Sequence, residues 1–397
     1  MSELLEEELR KSKLFKDESK LSIDYVPRLL PHREEQLKLL MRIFKVLIDN
    51  PGGMFQKALL IGSVGTGKTA VSKSFGNFLS SYAERMMIPL KYVHVNCHRD
   101  RNLFMVVKRI IQSVKPTLPT RGFSPQELIY MLWQALDERN AYVLVTLDEV
   151  DVMVKSFGES ALYDILRISD EYLNKPQRMS LILISRDAVW LTMLDQSTRS
   201  SLMHNIIKFE PYTSHQLKDI LNDRVKLAFY DGVVTDETLE LIADLVGWDR
   251  GGSGDARYAL ELLWQAGKVA EAKGFQWVTP EHVREARASL HPSIRREEVQ
   301  GLTNHEKYVL LSLARLLRRS HKAYASMGEM EEEYRSVCEE FQEQPRKHTQ
   351  VWNFVQNLRN LGIVITKVVT TPKGRTTLIS LPETPAELLE REVSKTL

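Results

Sequence analysis

The chain has 397 residues, of which 43% are hydrophobic, and carries a formal net charge of +2. This length predicts two or three packed domains, and the near-neutral charge excludes a uniformly basic nucleic-acid binder, so any basic surface must be local. The two cysteines, Cys97 and Cys338, lack CxxC spacing, which argues against a disulfide framework or a zinc site. Because no apolar run reaches the ~20 residues of a membrane span, and residues 1–20 lack the apolar centre of a secretory signal, we expect a cytoplasmic protein without a membrane partner.

Three patterns follow one another along the chain. In the first half, short apolar runs alternate with helical patterns, which predicts a five-stranded parallel sheet covered by helices on both faces. From residue 214 to about 290, helical segments follow one another without strands, which predicts an all-α domain. The remainder predicts three helices followed by a strand pair, the pattern of a winged helix. The five apolar runs are 57–62, 90–97, 141–147, 180–185 and 205–209.

The same patterns, with the polar stretches between them, predict the domain organisation. A polar N-terminal extension over 1–21 precedes an α/β core over 22–210. A helical domain over 211–292, a linker over 293–302 and a winged-helix domain over 303–397 follow.

A glycine-rich octet, Gly-Ser-Val-Gly-Thr-Gly-Lys-Thr, lies between the first apolar run and a helical pattern. This is the strand, loop and helix context of a phosphate-binding loop, in which backbone N–H groups and the helix start surround phosphate oxygens. We expect Lys68 to reach the β- and γ-phosphates and Thr69 to bind Mg²⁺. An ordinary glycine-rich turn is the alternative, and the match at every fixed position argues against it. The predicted nucleotide-binding residues here are Gly62, Ser63, Val64, Gly65, Thr66, Gly67, Lys68, Thr69 and Ala70.

The third apolar run ends in two carboxylates, Asp148 and Glu149. The carboxyl ends of parallel strands face the ligand crevice of a doubly wound sheet. We expect Asp148 to hold Mg²⁺, directly or through water, and Glu149 to orient and deprotonate the attacking water. A strand that merely ends in acidic loop residues is the alternative. Together with the phosphate loop, the pair predicts hydrolysis of ATP or GTP as well as binding.

The segment Asp148-Glu149-Val150-Asp151 and its surroundings resemble the AAA+ class of ATPases. Residues 24–34 resemble the adenine-pocket segment of that class, and Gly-Asp-Ala-Arg at 254–257 resembles the sensor-2 motif of its helical lid. The resemblance implies that Arg257 reaches from the lid to the γ-phosphate. An unremarkable loop and a surface arginine are the alternatives. The residues that would pack on the purine are Tyr25, Val26 and Pro27.

Two positions depart from the class. Sensor 1 is usually a polar residue, often Asn, after the fourth strand, but here Arg186 takes that place and either Ser185 or Arg186 would act instead. Ser197 stands where the arginine finger is expected, and Arg199, two residues later, is its candidate substitute. Both departures predict slow turnover, with ATP or ADP marking conformational states.

The charge distribution changes sharply near the C-terminus. Residues 329–343 contain seven glutamates, whereas residues 344–382 contain six Lys or Arg and no Asp or Glu. The basic residues fall where a winged helix places its recognition helix and the tip of its wing, which suits contact with double-stranded DNA. A winged helix that contacts proteins and carries an incidental basic stripe is the alternative. The predicted DNA contacts are Arg346, Lys347, Thr349, Gln350, Lys373, Gly374 and Arg375.

A second basic segment favours DNA binding. Residues 99–121 contain six Lys or Arg and one acidic residue, on a helix and loop between the second and third strands. This segment resembles the helical insertion that marks the initiator clade of AAA+ proteins. Its predicted DNA contacts are Lys108, Arg109 and Arg121.

Taken in order, these motifs resemble the archaeal replication-initiator family of AAA+ ATPases, relatives of the eukaryotic origin recognition complex and its helicase-loading partner. The resemblance implies origin recognition by a nucleoid-associated protein that uses ATP or ADP with Mg²⁺. It also implies three kinds of partner: double-stranded origin DNA, other initiator paralogues and the replicative helicase.

Other functions remain open on the sequence. One is a clamp-loader-like or helicase-loader ATPase that acts mainly on protein rings, and another is a winged-helix switch ATPase in transcription or signalling. A nucleotide-binding scaffold without turnover is a third, against which the presence of both Asp148 and Glu149 argues.

Overall fold

The computed structural model describes residues 12–100, 102–158, 160–166, 175–290, 299, 301–371, 374–382 and 384–397. Residues 1–11 of the predicted extension, most of the predicted linker and Lys373 lie outside this set. The described chain divides into two compact units. The nucleotide-loop unit contains residues 26–212 and 254–256, and the lid-and-wing unit contains the described residues of 1–25, 213–253 and 257–397.

The nucleotide-loop unit is built on a parallel sheet with strand order β2-β3-β4-β1-β5, which confirms the predicted α/β core. All seven residues of β3 and of β4 are buried, as expected for strands covered on both faces. Because β4 separates β1 from β3, the ends of these three strands lie side by side. The strands are β1 Lys57–Ile61, β2 Leu90–Asn96, β3 Tyr142–Asp148, β4 Met179–Ser185 and β5 Ile206–Lys208.

Helices cover both faces of this sheet and form two apolar cores. On one face Phe44 and Phe75 pack with their ring centroids 5.8 Å apart, and on the other Trp133 is buried against the β2–β3 side. A capping box of Ser124 and Glu127 begins the helix that carries Trp133. The helices are α1 Glu34–Phe44, α2 Val46–Asp49, α3 Lys68–Arg85, α4 Leu103–Val114, α5 Pro125–Asp137, α6 Val150–Phe157, α7 Ser160–Leu166 and α8 Gln196–Met203.

The lid-and-wing unit begins with the N-terminal segment, which packs on the lid helices. The rings of Phe15 and Phe229 have centroids 4.6 Å apart, and Glu18 accepts a hydrogen bond from Trp264 at 3.0 Å. Gly267 leaves room for the Phe15 ring, because a Cβ atom there would lie 2.4 Å from Phe15 Cζ. The lid helices are α9 Ser214–Ala228, α10 Asp236–Val246, α11 Ala256–Ala272 and α12 Pro280–Leu290.

The C-terminal part is a winged helix, as predicted. Its three helices and a final helix share one apolar core with a small antiparallel sheet of order β6-β8-β7. The two long strands form the wing. The elements are α13 Asn304–Ser320, β6 Ala325–Ser326, α14 Met327–Glu340, α15 His348–Asn360, β7 Ile365–Thr371, β8 Gly374–Ser380 and α16 Ala386–Ser394.

Polar contacts join the lid to the winged helix. The guanidinium of Arg284 on α12 is fully buried and donates to the carbonyl oxygens of Ala323, at 2.8 Å, and Leu381, at 3.3 Å. On α10, Asp244 accepts from Tyr324 Oη at 2.8 Å and from Lys367 Nζ at 2.9 Å. Burial lowers the pKa of Arg284, and its ion pair with Glu281 opposes that shift.

Across the described ranges, none of the helices is both long and apolar enough for a membrane span.

Candidate nucleotide site and nucleic-acid interface

Three glycines shape the loop between β1 and α3. Gly65 and Gly67 have φ values of +72° and +88°, in the left-handed region that glycine adopts without steric cost. At Gly62 a Cβ atom would lie 2.3 Å from the Phe209 carbonyl oxygen, so the close approach of the two chains requires glycine. Because α3 begins at Lys68, its first backbone N–H groups lack intrahelical partners and face the loop. The loop therefore has the conformation needed to bind a phosphate group.

Side chains within and behind the loop hold this conformation. Lys68 is 8% exposed, and its Nζ donates to the carbonyl oxygens of Gly62 at 2.6 Å and Ser63 at 2.7 Å. Behind the loop, the buried Arg33 donates from Nε to the Thr66 carbonyl oxygen at 2.9 Å, and its guanidinium lies 3.8 Å from the centre of the Tyr212 ring. Burial lowers the pKa of Arg33. Sequence reasoning missed this role, because an arginine in a polar segment is ordinarily exposed.

The predicted magnesium ligands lie together. Thr69 Oγ1 donates to Asp148 Oδ2 at 2.7 Å, and His94 Nε2 lies 3.1 Å from the same oxygen. Burial opposes ionisation of Asp148, but the hydrogen bonds from His94 and Thr69 outweigh it and lower its pKa. A hydroxyl and an ionised carboxylate at this distance are oxygen donors of the kind that Mg²⁺ prefers, so these residues fit the ion.

The predicted base, Glu149, stands between two donors. Arg186 Nη2 lies 3.0 Å from Glu149 Oε1, and Asn96 Nδ2 lies 3.4 Å from Glu149 Oε2. Ser185, the other sensor-1 candidate, is buried and donates to the Asp187 carbonyl oxygen at 2.7 Å. Sequence reasoning did not single out Asn96. The signal for it was its position at the end of β2, beside the end of β3.

Part of the predicted sensor-2 motif lies against the phosphate loop. Asp255 stands over Gly65, and the backbone N–H of Ala256 donates to the Gly65 carbonyl oxygen at 3.2 Å. Gly254 accepts from the backbone N–H of Tyr212 at 3.1 Å. Arg257 is exposed in the first turn of α11, and its contact with a γ-phosphate stays a prediction.

The predicted adenine-pocket residues Tyr25, Val26 and Pro27 are all half-buried. The Tyr25 ring has the Lys20 ammonium 4.5 Å from its centre and the Arg224 guanidinium at 4.9 Å. Arg224 also donates to the Tyr25 carbonyl oxygen at 3.3 Å. Packing of these residues on a purine stays a prediction.

The predicted DNA-contacting residues of the winged helix lie at the start of α15 and on the wing. The side chains of residues 346–350 are all exposed, as are Gly374 and Arg375 at the start of β8. Arg346 donates from Nε to His305 Nε2 at 3.0 Å, and its backbone N–H donates to Tyr334 Oη at 3.3 Å. Burial and the charge of Arg346 lower the pKa of His305, which favours the neutral ring that accepts this bond.

The predicted DNA-contacting residues of the insertion differ in exposure, unlike those of the winged helix. Lys108 and Arg109 on α4 are half-buried, and Arg121, in the following loop, is exposed. Asp100 lies 3.3 Å from Arg109 Nε, so part of the positive charge of this helix is neutralised within the protein. Lys108 and Arg121 are therefore better placed than Arg109 to meet an external anion.

Comparison with known proteins identifies the class of each domain. The family model for an AAA domain matches residues 56–190, that for the Cdc6 AAA+ ATPase-type lid matches 218–288, and that for the CDC6 C-terminal winged helix matches 297–391. The phosphate loop, the carboxylates at the end of β3, the lid and the winged helix together define an AAA+ ATPase with a winged helix.

The most similar relatives narrow this class to one family. The chain is 36% identical over 399 residues to ORC1-type DNA replication protein 2 of Sulfurisphaera tokodaii, and the match covers 99% of this chain and 96% of the relative. It is 33% identical to the ORC1-type DNA replication protein of Pyrococcus horikoshii, covering 98% and 92%. The chain belongs to the archaeal family of ORC1-type, Cdc6-related DNA replication proteins, which confirms the resemblance seen in its motifs.

Two solved structures agree with this assignment. Cdc6p from Pyrobaculum aerophilum is 33% identical, has a TM-score of 0.83, and the match covers 96% of this chain and 98% of that one. ORC1 from Aeropyrum pernix, solved in complex with DNA, is 32% identical with a TM-score of 0.63, and the match covers 97% and 98%. The chain is thus a replication-initiation AAA+ protein.

Proposed function

We propose that this protein binds ATP or ADP with Mg²⁺, binds double-stranded DNA at replication origins, and helps recruit the replicative helicase together with other initiator paralogues. The observation that carries the proposal is the exposed, basic start of α15 in a winged helix whose chain also contains a complete phosphate loop. The DNA complex of the related Aeropyrum pernix ORC1 supports the same interpretation.

The nucleotide part of the proposal rests on the geometry of the loop. The backbone of residues 62–69 would surround the β-phosphate, and Lys68 would exchange its two carbonyl contacts for phosphate oxygens. Thr69 and Asp148 would hold Mg²⁺, which supplies charge compensation to the phosphates when bound. Glu149 directly follows Asp148 at the end of β3, so it is the candidate base for slow hydrolysis.

The DNA part rests on exposed charge. Arg346 and Lys347 directly precede α15, the helix whose N-terminal end enters a major groove in winged-helix proteins, and Arg375 lies near the tip of the wing, where it pairs with Thr370. On the insertion, Lys108 and Arg121 offer a second set of phosphate contacts. We expect sparse base contacts and a strong electrostatic contribution.

A salt series tests the DNA part. Duplex binding is measured by fluorescence anisotropy for wild type, Arg346→Ala, Arg375→Ala and the control Arg139→Ala, an exposed arginine of the nucleotide-loop unit. Removing one ionic interaction with a phosphate should flatten the log–log salt slope by ~0.9, and the control should not change it. Wild-type slopes in both winged-helix variants would refute the assigned interface.

Equilibrium binding of a fluorescent ATP analogue tests the nucleotide part. Lys68→Ala should lose nucleotide binding, because it removes the ammonium that is expected to contact the β- and γ-phosphates. Unchanged affinity would mean that the phosphate loop is wrongly assigned.

A further inference from the structure

Glu149 is engaged on both oxygens of its carboxylate. Arg186 contacts Oε1 at 3.0 Å with an ionic hydrogen bond, and Asn96 contacts Oε2 at a weaker 3.4 Å. Neither donor lies near Glu149 in the sequence. The base is therefore held from two directions.

The topology of the sheet explains this arrangement. Asn96 ends β2 and pairs in register with Asp148, so its side chain stands on one side of the end of β3. Arg186 directly follows β4, the neighbour of β3 on the other side. Glu149 comes one residue after β3, in a left-handed conformation with φ of +57°. Each donor therefore comes from the end of a strand adjacent to β3.

The ion pair has two consequences for a base. A general base must present an oxygen lone pair to the water from which it takes a proton. A guanidinium stays charged at all ordinary pH values, so Arg186 neutralises the carboxylate and aligns it with its own N–H groups. Arg186 is 53% exposed and Glu149 28%, so solvent weakens the pair and it opposes movement of Glu149 without preventing it.

We propose that Arg186 is a positioning residue that holds Glu149 away from the attacking water and thereby slows ATP hydrolysis, an inference that rests on the proposed ATPase function. In hydrolysis, the oxygen of water bonds to the γ-phosphorus, and the bond from that phosphorus to the β–γ bridging oxygen breaks to release ADP. One proton of the water passes to Glu149 and the other stays on the phosphate. Arg186 controls only whether Glu149 is in place to accept that proton.

The opposite role for Arg186 makes the opposite prediction. If its guanidinium instead stabilised charge on the γ-phosphate, removing it would slow hydrolysis. The sign of the rate change on replacing Arg186 therefore decides between the two roles.

The test measures single-turnover hydrolysis of γ-labelled ATP by the full chain, with nucleotide affinity measured in parallel. Arg186→Ala removes the charge without introducing the asparagine that is usual at sensor 1, and it should accelerate hydrolysis about ten-fold while leaving ATP affinity within about two-fold. Arg186→Lys keeps the charge on a shorter side chain and should give a smaller acceleration. The matched control Arg139→Ala, another exposed arginine of the same unit, should behave as wild type.

A double variant establishes that the effect passes through Glu149. Glu149→Gln should abolish measurable turnover, and Glu149→Gln/Arg186→Ala should remain equally inactive. An unchanged or slower Arg186→Ala, or measurable turnover in the double variant, would overturn the inference while leaving nucleotide binding intact. If wild type itself binds no nucleotide, the proposed function fails and the inference fails with it.

Discussion

The carboxylate of Asp255 lies directly over Gly65, where a Cβ atom would be 1.6 Å from Asp255 Oδ1 and 2.2 Å from Asp255 Cγ. Gly65 also has a φ of +72°. Two separate constraints therefore require glycine at position 65. One is the backbone conformation, and the other is the side chain of Asp255, which is distant in the sequence. Asp255 and Ala256 therefore both constrain the phosphate loop at Gly65.

We predict that Gly65→Ala destabilises the protein more than Gly122→Ala does. Gly122 has a φ of +86° with nothing within 4 Å of an added Cβ, so its substitution reports backbone strain alone, about 1–2 kcal/mol. Gly65→Ala adds the clash with Asp255. Urea unfolding measures the free energy of unfolding of both variants. Adding Asp255→Ala to Gly65→Ala should recover the part of the loss that exceeds the loss in Gly122→Ala. Equal losses at the two glycines would mean that Asp255 moves aside without cost.

We predict that His282 makes stability fall as the pH is lowered below about 6.5. His282 is 2% exposed, and its Nδ1 accepts from the backbone N–H of Thr279 at 3.1 Å, as a Glu or Gln does in a capping box. Burial, reinforced by the charges of Lys273 and His321, lowers its pKa to about 4.

The sign follows from linkage. Between the ordinary pKa of 6.5 and the folded value of about 4, the unfolded chain binds a proton that the folded chain does not. The contribution is complete above pH 6.5 and is lost towards pH 4, with a slope of at most about 1.4 kcal/mol per pH unit. Urea unfolding across this window measures it. His282→Gln keeps the capping contact without the titration and should reduce the slope, and an unchanged slope would place the titration elsewhere.

We predict that Asp244→Ala destabilises the lid-and-wing unit by about 3 kcal/mol. Asp244 is buried and accepts from Tyr324 and Lys367, and Arg250 Nε lies 3.4 Å from it. Burial disfavours the charged form of Lys367, but the bonds to Asp244 and Glu240 outweigh it and raise its pKa. Removing Asp244 would leave this cation and the hydroxyl of the half-buried Tyr324 without their common acceptor.

Thermal unfolding measures this loss. Lys226→Ala, which removes an exposed ion pair with Asp223 in the same unit, is the control and should stay within about 0.5 kcal/mol of wild type. A similar small change for Asp244→Ala would show that the junction between lid and winged helix contributes little to stability.

We predict that His305→Ala weakens DNA binding about three-fold without changing the salt slope. The imidazole accepts from Arg346 Nε through Nε2, so its proton lies on Nδ1 and is donated to Tyr334 Oη at 2.8 Å. Without the imidazole, Arg346 would keep its charge, but its guanidinium would no longer be held in place. We expect this to cost about 0.6 kcal/mol of DNA-binding free energy. Anisotropy titrations check this against His204→Ala, an exposed histidine of the other unit. A flatter salt slope for His305→Ala would mean that the histidine itself contacts phosphate.

Short-range patterns in the sequence were enough to predict the strands, the lid helices and the winged helix. Alternating and helical spacing report burial within one element, so β3, Tyr142–Asp148, falls within one residue of the apolar run at 141–147. The phosphate loop was predictable because its glycines, Lys68 and Thr69 are contiguous.

The contacts that modify the site were not predictable, because they join residues that only the folded sheet brings together. Arg186 was noticed as a departure from its class, but nothing local indicates that its partner is Glu149. Likewise, Tyr25 shows no sign in its own segment that Arg224 stacks on it. Side-chain partners across the fold depend on strand order and helix packing, which a periodic pattern does not specify.

The buried guanidinium of Arg284 bears on how such proteins can be divided or recombined. It lies on the last lid helix yet finds its acceptors on Lys322, Ala323 and Leu381 of the winged helix. A cut within the predicted linker would therefore separate the Arg284 guanidinium from the carbonyl oxygens that accept its hydrogen bonds. The two fragments would not be independent domains. A foreign winged helix grafted onto this lid would need carbonyl groups in the same places. Exchange of winged helices between relatives should thus carry the last lid helix along with the winged helix.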